Sequence, residues 1–332
     1  MRQKDFHFRY LPGINLGQTR IAFTLPFHLF AHSYDVYIKC INGKFALPLT
    51  YLVARLRRKP FILRTGVWTD LKTPSQRLLA PLVRHLYRNA DAIVTYGEHV
   101  KRYLESKGVP SERIFVAPHA VDNSAYNRTL TPQEQEALRA RLNLRPEQRI
   151  ILFLGRLVAS KGCMDLMQAF AELQDKDAVL LLVGEGPEHA RMEDYARRNG
   201  FDGRVRFTGY KRPEEVFHYY SISYAMVISS ITTDGGREPW ALTVNEAFNA
   251  GVPVIASNAV GAAAGGLVQD GVNGFVVPER DPASLCAAMQ HLLDDPRLHN
   301  SMSAAARQKI AHWTQAGMAD AFMAAVRYVS QR

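Results

Sequence analysis

The chain has 332 residues, 47% of them hydrophobic and 22% charged, and a net charge of +10, which is typical of a globular protein with room for two domains. No run of about 18 apolar residues occurs, so no membrane-spanning helix is expected, and residues 1–6 lack the apolar core of a secretory signal. Three separated cysteines, Cys40, Cys163 and Cys286, have neither ligand nor redox spacing, which predicts reduced thiols in a cytoplasmic protein.

The positive charge is concentrated in one half of the chain. Residues 1–130 carry a net charge of +12, whereas residues 131–332 carry −2. This asymmetry favours an anionic partner for one domain, although a merely well-solvated basic face stays open as an alternative. Because no nucleic-acid-binding signature accompanies the charge, we expect an anionic lipid surface or a phosphorylated acceptor rather than nucleic acid.

The first half alternates short apolar runs with amphipathic stretches. Residues 6–10 are interpreted as a strand. Further strands are predicted at 35–41, 60–64, 92–96 and 114–117, with helices at 45–57, 75–89 and 97–107. The polar stretch 123–146 is interpreted as a linker with a helix at 132–142.

The second half repeats this alternation more strongly. Strands are predicted at 149–154, 178–183, 205–208, 225–228, 252–256 and 274–277, with helices at 164–173, 188–199, 213–220, 240–250 and 282–294. The pattern predicts an α/β fold of parallel sheets wrapped by helices. We assign a first domain to 1–130, a linker to 131–146, a second domain to 147–312, and a final helix within 313–332 that returns to the first domain.

The strongest local motif is segment 155–162, Gly-Arg-Leu-Val-Ala-Ser-Lys-Gly, where a predicted buried strand gives way to a helix. Ligands of open α/β sheets bind outside the carboxyl ends of the strands. Arg156 and Lys161, on a turn bounded by glycines, suit a diphosphate at that place, helped by a helix N-terminus. The alternative is a solvated loop with two ordinary cations.

A second motif is segment 234–240, Asp-Gly-Gly-Arg-Glu-Pro-Trp, which leads into a helix that contains Glu246. If Glu238 stands at the helix start, eight helical residues place Glu246 about 80° away, so both carboxylates face one cleft. Carboxylates accept paired hydrogen bonds from sugar or ribose diols. The alternative is one glutamate favoured by the helix dipole and one on the surface.

A third motif is the small-residue segment 257–266, Ser-Asn-Ala-Val-Gly-Ala-Ala-Ala-Gly-Gly, which follows a predicted strand. Small residues let backbone amides approach phosphate oxygens. A tight packing turn between strand and helix gives the same pattern, and this reading stays open.

In order and spacing, these motifs resemble glycosyltransferase family 4, a group of retaining enzymes with the GT-B fold of two Rossmann-like domains. The resemblance covers about residues 150–281 and includes Val-Gly-Glu-Gly-Pro at 183–187, Phe-Thr-Gly-Tyr at 207–210, and Glu238 with Glu246 as the E-x7-E pair. Segments 89–95 and 116–122 also look like the end of the family's first domain.

The resemblance implies a role for each matching residue. Arg156 and Lys161 would neutralise the donor diphosphate as it leaves, Glu238 would bind the transferred sugar, and Glu246 would bind the ribose. Amides at 260–266 would complete a phosphate cradle, and Tyr210 would border the base. Arg156, Lys161 and Glu238 form the implied catalytic set, and the implied donor-binding set is Gly155, Arg156, Lys161, Gly184, Tyr210, Glu238, Trp240, Ala241, Leu242, Glu246 and Gly261. No metal or cofactor is expected, because these cations and helix N-termini supply the positive charge.

Together these features predict transfer of a sugar from a nucleotide-diphosphate sugar to a glycan or lipid-linked acceptor, in bacterial surface polysaccharide synthesis, on the inner face of the membrane. Two features depart from the family. The usual opening strand, glycine-rich loop, helix and second strand have no counterpart, which predicts a shortened first domain with poor transfer. After strand 60–64 the chain has Thr-Gly-Val-Trp where the family often has a histidine, and we interpret His99 and His119 as structural or surface residues rather than substitutes.

Other functions fit the sequence less well. A dehydrogenase is suggested by Gly184 and Gly186, but His189 occupies the position of the third glycine in that fingerprint. A sugar-nucleotide epimerase would lack the ordered set of motifs. A non-catalytic protein of the same fold, which binds nucleotide sugars or acts as a scaffold, is the main alternative.

Overall fold

The first half of the chain builds a parallel sheet of four strands in the computed structural model, which describes residues 8–16, 19–128 and 130–331. The strands lie side by side in chain order and are β3 (Tyr37–Cys40), β4 (Phe61–Thr65), β5 (Ala92–Thr95) and β6 (Ile114–Val116). Three helices connect them, α2 (Ala46–Leu56), α3 (Pro74–Asn89) and α4 (Glu98–Ser106). Because helices cover the sheet, its central strands are apolar runs without alternation.

An antiparallel hairpin of β1 (Ile14–Leu16) and β2 (Thr19–Ile21) and a short helix α1 (Leu25–Ala31) precede this sheet. The prediction of a strand at 6–10 is wrong for residues 8–10, which adopt no regular structure, and residues 6 and 7 lie outside the described part. Two helices follow the sheet, α5 (Asn123–Tyr126) and α6 (Pro132–Arg141), and α6 confirms the helix predicted at 132–142.

The second half builds a parallel sheet of six strands. They are β7 (Ile150–Leu154), β8 (Val179–Val183), β9 (Val205–Phe207), β10 (Ala225–Ile228), β11 (Val254–Ser257) and β12 (Gly274–Val277). The spatial order is β9-β8-β7-β10-β11-β12, so the chain reverses direction across the sheet between β7 and β10. This is the strand order of a Rossmann fold, and it confirms the predicted α/β class of two Rossmann-like units.

Helices pack on both faces of the second sheet. They are α7 (Cys163–Ala171), α8 (His189–Arg198), α9 (Pro213–Ser221), α10 (Leu242–Asn249), α11 (Gly261–Ala264), α12 (Pro282–Asp294) and α13 (Pro296–Ala311). A last helix, α14 (Gln315–Ser330), follows them in the chain. The sequence analysis missed α13, although Asp295 and Pro296 are a recognisable helix start: the Asp295 carboxylate accepts from the amides of Arg297 and Leu298 at 2.9 and 3.0 Å.

The last helix, α14, leaves the second unit and packs on the first sheet. Its Ala325 and Val329 are buried against Ile62 of β4 and against Ala92 and Val94 of β5. The two halves therefore share a small apolar cluster in addition to their separate cores. The assigned domain boundaries themselves stay a prediction. Among the helices that the structure describes, none is long and apolar enough to cross a membrane.

Candidate active site

The candidate site lies at the carboxyl ends of β7 and β10, where the strand order reverses. The loop after β7 carries Arg156 and Lys161, and the loop after β10 begins with Ser229 and Ser230. In an open parallel sheet, adjacent strands lead here to helices on opposite faces, which opens a crevice between them. The structure therefore places the first predicted motif at the usual ligand position of such a sheet.

Glycines allow the backbones to approach closely at this edge. Gly184 has φ of 143°, and a Cβ there would lie 1.9 Å from the carbonyl oxygen of Gly155. Gly162 has φ of 63°, and a Cβ there would lie 1.9 Å from the carbonyl oxygen of Ser229. The Ser229 hydroxyl also donates to the Lys161 carbonyl at 3.0 Å. The loop that carries Lys161 is thus fixed directly against β10.

Lys161 and Glu238 form an ion pair at the centre of this edge. The Lys161 Nζ lies 2.5 Å from Glu238 Oε2, and the Ser230 hydroxyl donates to the same oxygen at 3.3 Å. Both charged side chains are about one-fifth exposed, at 22% and 20%, so a ligand can still reach them. Arg156 is exposed and makes no ion pair with any residue in the described part of the chain. Of the two predicted cations, Lys161 is held by the Glu238 carboxylate, and Arg156 is exposed to solvent.

The main chain of Glu238 connects the two halves of the molecule. Its carbonyl accepts from the Trp68 indole of the first half at 3.1 Å and from the Gly261 amide at 3.0 Å. The Arg237 guanidinium lies over the Trp68 ring, 4.8 Å from its centroid. Trp68 therefore positions the loop that carries Glu238. It lies in the segment after β4, where the family often has a histidine.

Glu246 has other partners than this pair and is held by tyrosines. The Tyr220 hydroxyl donates to Glu246 Oε2 at 2.7 Å, and the Tyr126 hydroxyl also hydrogen-bonds to this carboxylate. Burial raises the pKa of Glu246, and the two tyrosine hydrogen bonds act against that rise. A carboxylate held in this way still has acceptor capacity for hydroxyl groups.

The predicted helical angle between the two glutamates is wrong. Helix α10 begins at Leu242, so Glu238 lies outside it, and Ala241 intervenes with φ of 76° and ψ of 85°. A non-glycine residue in this region costs about 1–3 kcal/mol, and such strain clusters at functional sites. No side chain caps α10, and although the Val244 amide donates to the Ala241 carbonyl at 3.1 Å, the amides of Leu242 and Thr243 have no acceptor in the described part of the chain.

The amide cradle predicted at 260–266 is not supported. Each backbone N–H of this segment already donates to a carbonyl of the chain, for example Ala262 to Trp240 at 2.9 Å and Gly265 to Gly261 at 2.8 Å. A Cβ at Gly261 would lie 2.0 Å from the Pro239 carbonyl oxygen. The small residues serve close packing, which was the alternative interpretation.

The other predicted donor residues fall into two groups. Trp240 is buried, at 2% exposure, and donates its indole N–H to Asn245 Oδ1 at 2.9 Å, so its side chain cannot face a ligand. Ala241 and Leu242 are half-buried at the start of α10. Tyr210 is exposed, and its amide donates to Glu185 Oε1 at 3.2 Å beside the end of β8. Tyr210 is therefore available at the rim of the crevice.

Two histidines of the first half lie at the junction with the second. His99 is buried between Trp68 and Trp240, and burial lowers its pKa to about 4. His119 stacks on Tyr96, with ring centroids 4.5 Å apart, and burial also lowers its pKa to about 4. Both imidazoles are therefore neutral near pH 7.

The sequence analysis missed four residues that shape this site. Tyr126 and Tyr220 hold Glu246, Ser230 contacts Glu238, and Trp68 anchors the Glu238 carbonyl. Ser230 was recognisable, since it is the second residue after the carboxyl end of a predicted strand. Within residues 8–16, 19–128 and 130–331, no group of three His, Cys, Asp or Glu residues is arranged to hold a metal ion. Metal independence stays a prediction.

Comparison with known proteins assigns both halves of the chain. The model of the family described as Glycosyl transferases group 1 matches residues 134–309, and that of Glycosyltransferase Family 4 matches residues 3–125. The chain is 25% identical over 279 residues to an alpha-D-kanosaminyltransferase of Streptomyces kanamyceticus, covering 81% of this chain and 70% of that protein. It is 30% identical over 186 residues to the lipopolysaccharide core biosynthesis glycosyltransferase LpsD of Rhizobium meliloti, covering 56% of this chain and 51% of that one.

The fold is similar to that of Anabaena Alr3699/HepE, whose crystal structures include complexes with UDP and with UDP-glucose. The UDP complex superimposes with a TM-score of 0.78 at 22% identity, covering 94% of this chain and 83% of that one. The UDP-glucose complex gives 0.75 at 21%, covering 94% and 83%. These likenesses confirm the predicted GT-B fold. Because the group 1 model matches more than half of the chain, at residues 134–309, and the Family 4 model matches residues 3–125, the chain belongs to the group 1 glycosyl transferases.

Proposed function

We propose that the chain is a retaining, metal-independent glycosyltransferase that takes its sugar from a nucleotide-diphosphate sugar. The observation that carries this proposal is the Lys161–Glu238 pair at the carboxyl edge of the second sheet, with Arg156 exposed on the same loop. A cation for the diphosphate and a carboxylate for sugar hydroxyls are then adjacent, as transfer of the sugar requires.

In the reaction, the bond between the anomeric carbon and the diphosphate oxygen breaks while an acceptor hydroxyl attacks from the same face. The acceptor proton passes to the leaving phosphate oxygen, so no protein base is needed. Arg156 and Lys161 stabilise the negative charge that develops on the diphosphate. Glu238 accepts hydrogen bonds from the transferred sugar, and Glu246 accepts them from the ribose.

The first donor to test is a UDP-sugar. The similar Anabaena protein was crystallised with UDP and with UDP-glucose, and this is the support for choosing uridine. A thermal-shift panel of UDP, GDP, ADP and their sugars identifies the nucleotide, because a ligand at 100 times its dissociation constant stabilises a protein by about 2.7 kcal/mol.

We further propose a glycan or lipid-linked acceptor of bacterial surface polysaccharide synthesis, met by a cytoplasmic protein at the inner membrane face. A relative that acts in lipopolysaccharide core synthesis supports this choice. So does an apolar surface on the basic half: Phe23, Phe27 and Phe30 in and before α1 are 47–69% exposed, and Leu52 and Leu56 of the neighbouring α2 are 53% and 64% exposed. Apolar side chains beside cations are the features of a peripheral membrane surface.

Two experiments test the proposal. Release of the nucleotide with transfer of the sugar to an acceptor, followed by NMR of the new anomeric centre, tests the reaction, and an inverted centre or strict dependence on manganese would contradict it. Co-sedimentation with anionic vesicles at low salt, fading near 0.5 M salt, tests the membrane surface, and equal binding to neutral vesicles would contradict it.

The non-catalytic alternative is favoured by one observation. The segment after β4 has Trp68 bound to the Glu238 carbonyl, and the family's usual histidine is not found there. Binding of nucleotide and nucleotide sugar without sugar transfer to any acceptor would identify the chain as a binding or scaffolding protein.

A further inference from the structure

A second polar cavity, of about 760 Å³, opens at the opposite end of the first sheet from the candidate active site. Its lining comes from the segments that lead into the strands: Pro60 precedes β4, Asp91 precedes β5 and Arg113 precedes β6. The active-site crevice lies beyond the carboxyl ends of strands, whereas this cavity lies at their amino ends. It is therefore separate from the donor site.

The lining of this cavity has a large excess of positive charge. Its charged residues are Arg55, Arg58, Lys59, Arg88, Arg113 and Asp91. The one carboxylate is already engaged, because Asp91 accepts from the Arg55 guanidinium at 2.9 Å and from the Phe61 amide at 2.7 Å. The other four cations are left without a carboxylate inside the cavity.

Three of these cations are placed to receive a ligand. Arg58 and Arg88 have exposed side chains that bond to no residue within the described ranges, and Arg58 adopts φ of 51°. Arg113 donates to the Arg88 carbonyl at 3.3 Å, while its Nε is buried and has no acceptor in the described part of the chain. A buried donor without an acceptor is costly, and a bound anion would satisfy it.

The fourth cation, Lys59, has only a weak ion pair. Lys59 lies 3.8 Å from a carboxylate oxygen of Asp35, whose side chain is fully exposed to solvent. Such a surface pair contributes little to stability. Like charges that converge on a concave surface repel one another, and an anion relieves that repulsion.

We propose that this cavity binds a phosphorylated ligand that carries at least two negative charges. Arginine forks suit phosphate oxygens because their N–H groups bond in pairs. The volume exceeds that of one phosphate group and falls within the range of ligand pockets, and Tyr51 and Val329 supply an apolar wall for the rest of the molecule. A soluble phosphorylated metabolite and the headgroup of a phosphomonoester lipid share this chemistry.

The test starts from the Arg156→Ala/Lys161→Ala variant, called the host below, in which the proposed donor site is disabled. Its result therefore does not depend on the proposed function. Binding of inorganic pyrophosphate is measured by calorimetry, and binding of phosphatidylcholine vesicles with and without phosphatidic acid by co-sedimentation. In this host, Arg58→Asn/Arg88→Gln removes two cavity cations that have no internal partner, and asparagine tolerates the backbone of residue 58. The matched control is Arg77→Gln/Arg84→Gln, which removes two exposed cations of α3 outside the cavity.

The cavity variant is expected to lose at least about tenfold in affinity, since each lost charge-assisted bond contributes on that scale, and the control is expected to keep the host's affinity. If pyrophosphate binding is weakened in the cavity variant but not in the control, the ligand is a soluble phosphorylated molecule. If only the binding of phosphatidic acid vesicles is weakened in this way, the ligand is a lipid headgroup. Lys59→Gln serves as a second variant if the double variant does not fold. Absence of binding to both probes, or equal losses in cavity variant and control, would overturn the proposal.

Discussion

The charged groups near the two sheets of this protein differ in whether they are paired. At the carboxyl edge of the second sheet, Lys161 is paired with Glu238, and Glu246 is held by Tyr220. In the first half, which carries a net charge of +12, the cations of the amino-end cavity outnumber the carboxylates. The polar groups of the second unit are thus paired with one another, whereas the first unit presents positive charge that has no matching carboxylate.

The two halves also differ in how deeply their elements are buried. Strands β7 and β8 are almost wholly buried, whereas helix α1 of the first half has no buried residue. Segments with few buried contacts open most readily, so the first half is expected to be the more adaptable part. This difference is consistent with the proposed function, in which the second unit binds the donor and the first admits the acceptor.

The largest expected effect concerns His99, which joins the two units. In the folded protein its imidazole takes up a proton only near pH 4, whereas in the unfolded chain it does so near pH 6.5. As pH falls from 6.5 to 4, the unfolded state binds the proton first, so stability decreases by about 3 kcal/mol; above pH 6.5 this contribution is constant. Urea unfolding of His99→Gln should therefore depend less on pH across this window than that of the wild type.

The matched control for His99 is His312→Gln, which removes an exposed histidine. It should retain the pH dependence of the wild type. Identical slopes for His99→Gln and the wild type would mean that burial of His99 at the junction does not limit the stability of the protein in acid.

The next effect tests whether the paired charges of the second sheet are catalytic. Glu238→Gln keeps the shape of the side chain but removes the carboxylate that holds Lys161 and accepts from the sugar. Since a hydrogen bond to a charged group contributes about 1.5–3 kcal/mol, turnover should fall roughly tenfold to a hundredfold. Glu136→Gln, an exposed residue of α6, is the control. Equal turnover in both variants would remove Glu238 from the mechanism.

A smaller effect is expected for the tyrosines that hold Glu246. Their hydrogen bonds lower the pKa of Glu246 against the rise that burial causes, so Tyr220→Phe should raise this pKa further. Nucleotide affinity should fall by about tenfold, and by more at pH 5.5 than at pH 8, because more of the carboxyl is then protonated. Calorimetry at the two pH values measures this, with Tyr195→Phe as the control. A loss independent of pH would indicate a purely structural tyrosine.

The smallest expected effect is that of chelation. Because Arg156, Lys161 and the first turn of α10 supply the positive charge in the proposed reaction, EDTA is expected to leave donor binding and turnover unchanged. Activity that disappears with EDTA and returns with manganese or magnesium would show that the charge compensation is assigned to the wrong groups.

The sequence predicts the fold better than the details of the site. Apolar runs such as Ile150–Leu154 and Val179–Val183 specify buried strands, and the alternation of strands with helices indicates that the strands are parallel. The hairpin of β1 and β2 and helix α1 were missed because they bury little, so their residues show weak patterning. Local spacing could not find Tyr126 or Tyr220, which reach Glu246 only through tertiary packing.

The same limit explains the two errors about the loops. The expected angle between Glu238 and Glu246 assumed a continuous helix, and the positive φ of Ala241 breaks that assumption. The amide cradle at 260–266 was inferred from residue size, but size does not reveal whether an N–H is already bonded. Both features depend on backbone geometry that cannot be inferred from local spacing or residue size.

The central claim is that Arg156 and Lys161 hold the diphosphate of the donor, and nucleotide affinity tests it most directly. The dissociation constant of the nucleotide chosen from the thermal-shift panel is measured for the wild type, Arg156→Ala, Lys161→Ala, and Arg327→Ala as an exposed-cation control on α14. Each loop variant should bind roughly tenfold to a hundredfold more weakly with its fold intact, and the control should bind normally. Unchanged affinity in both loop variants, or no nucleotide binding by the wild type, would contradict the account.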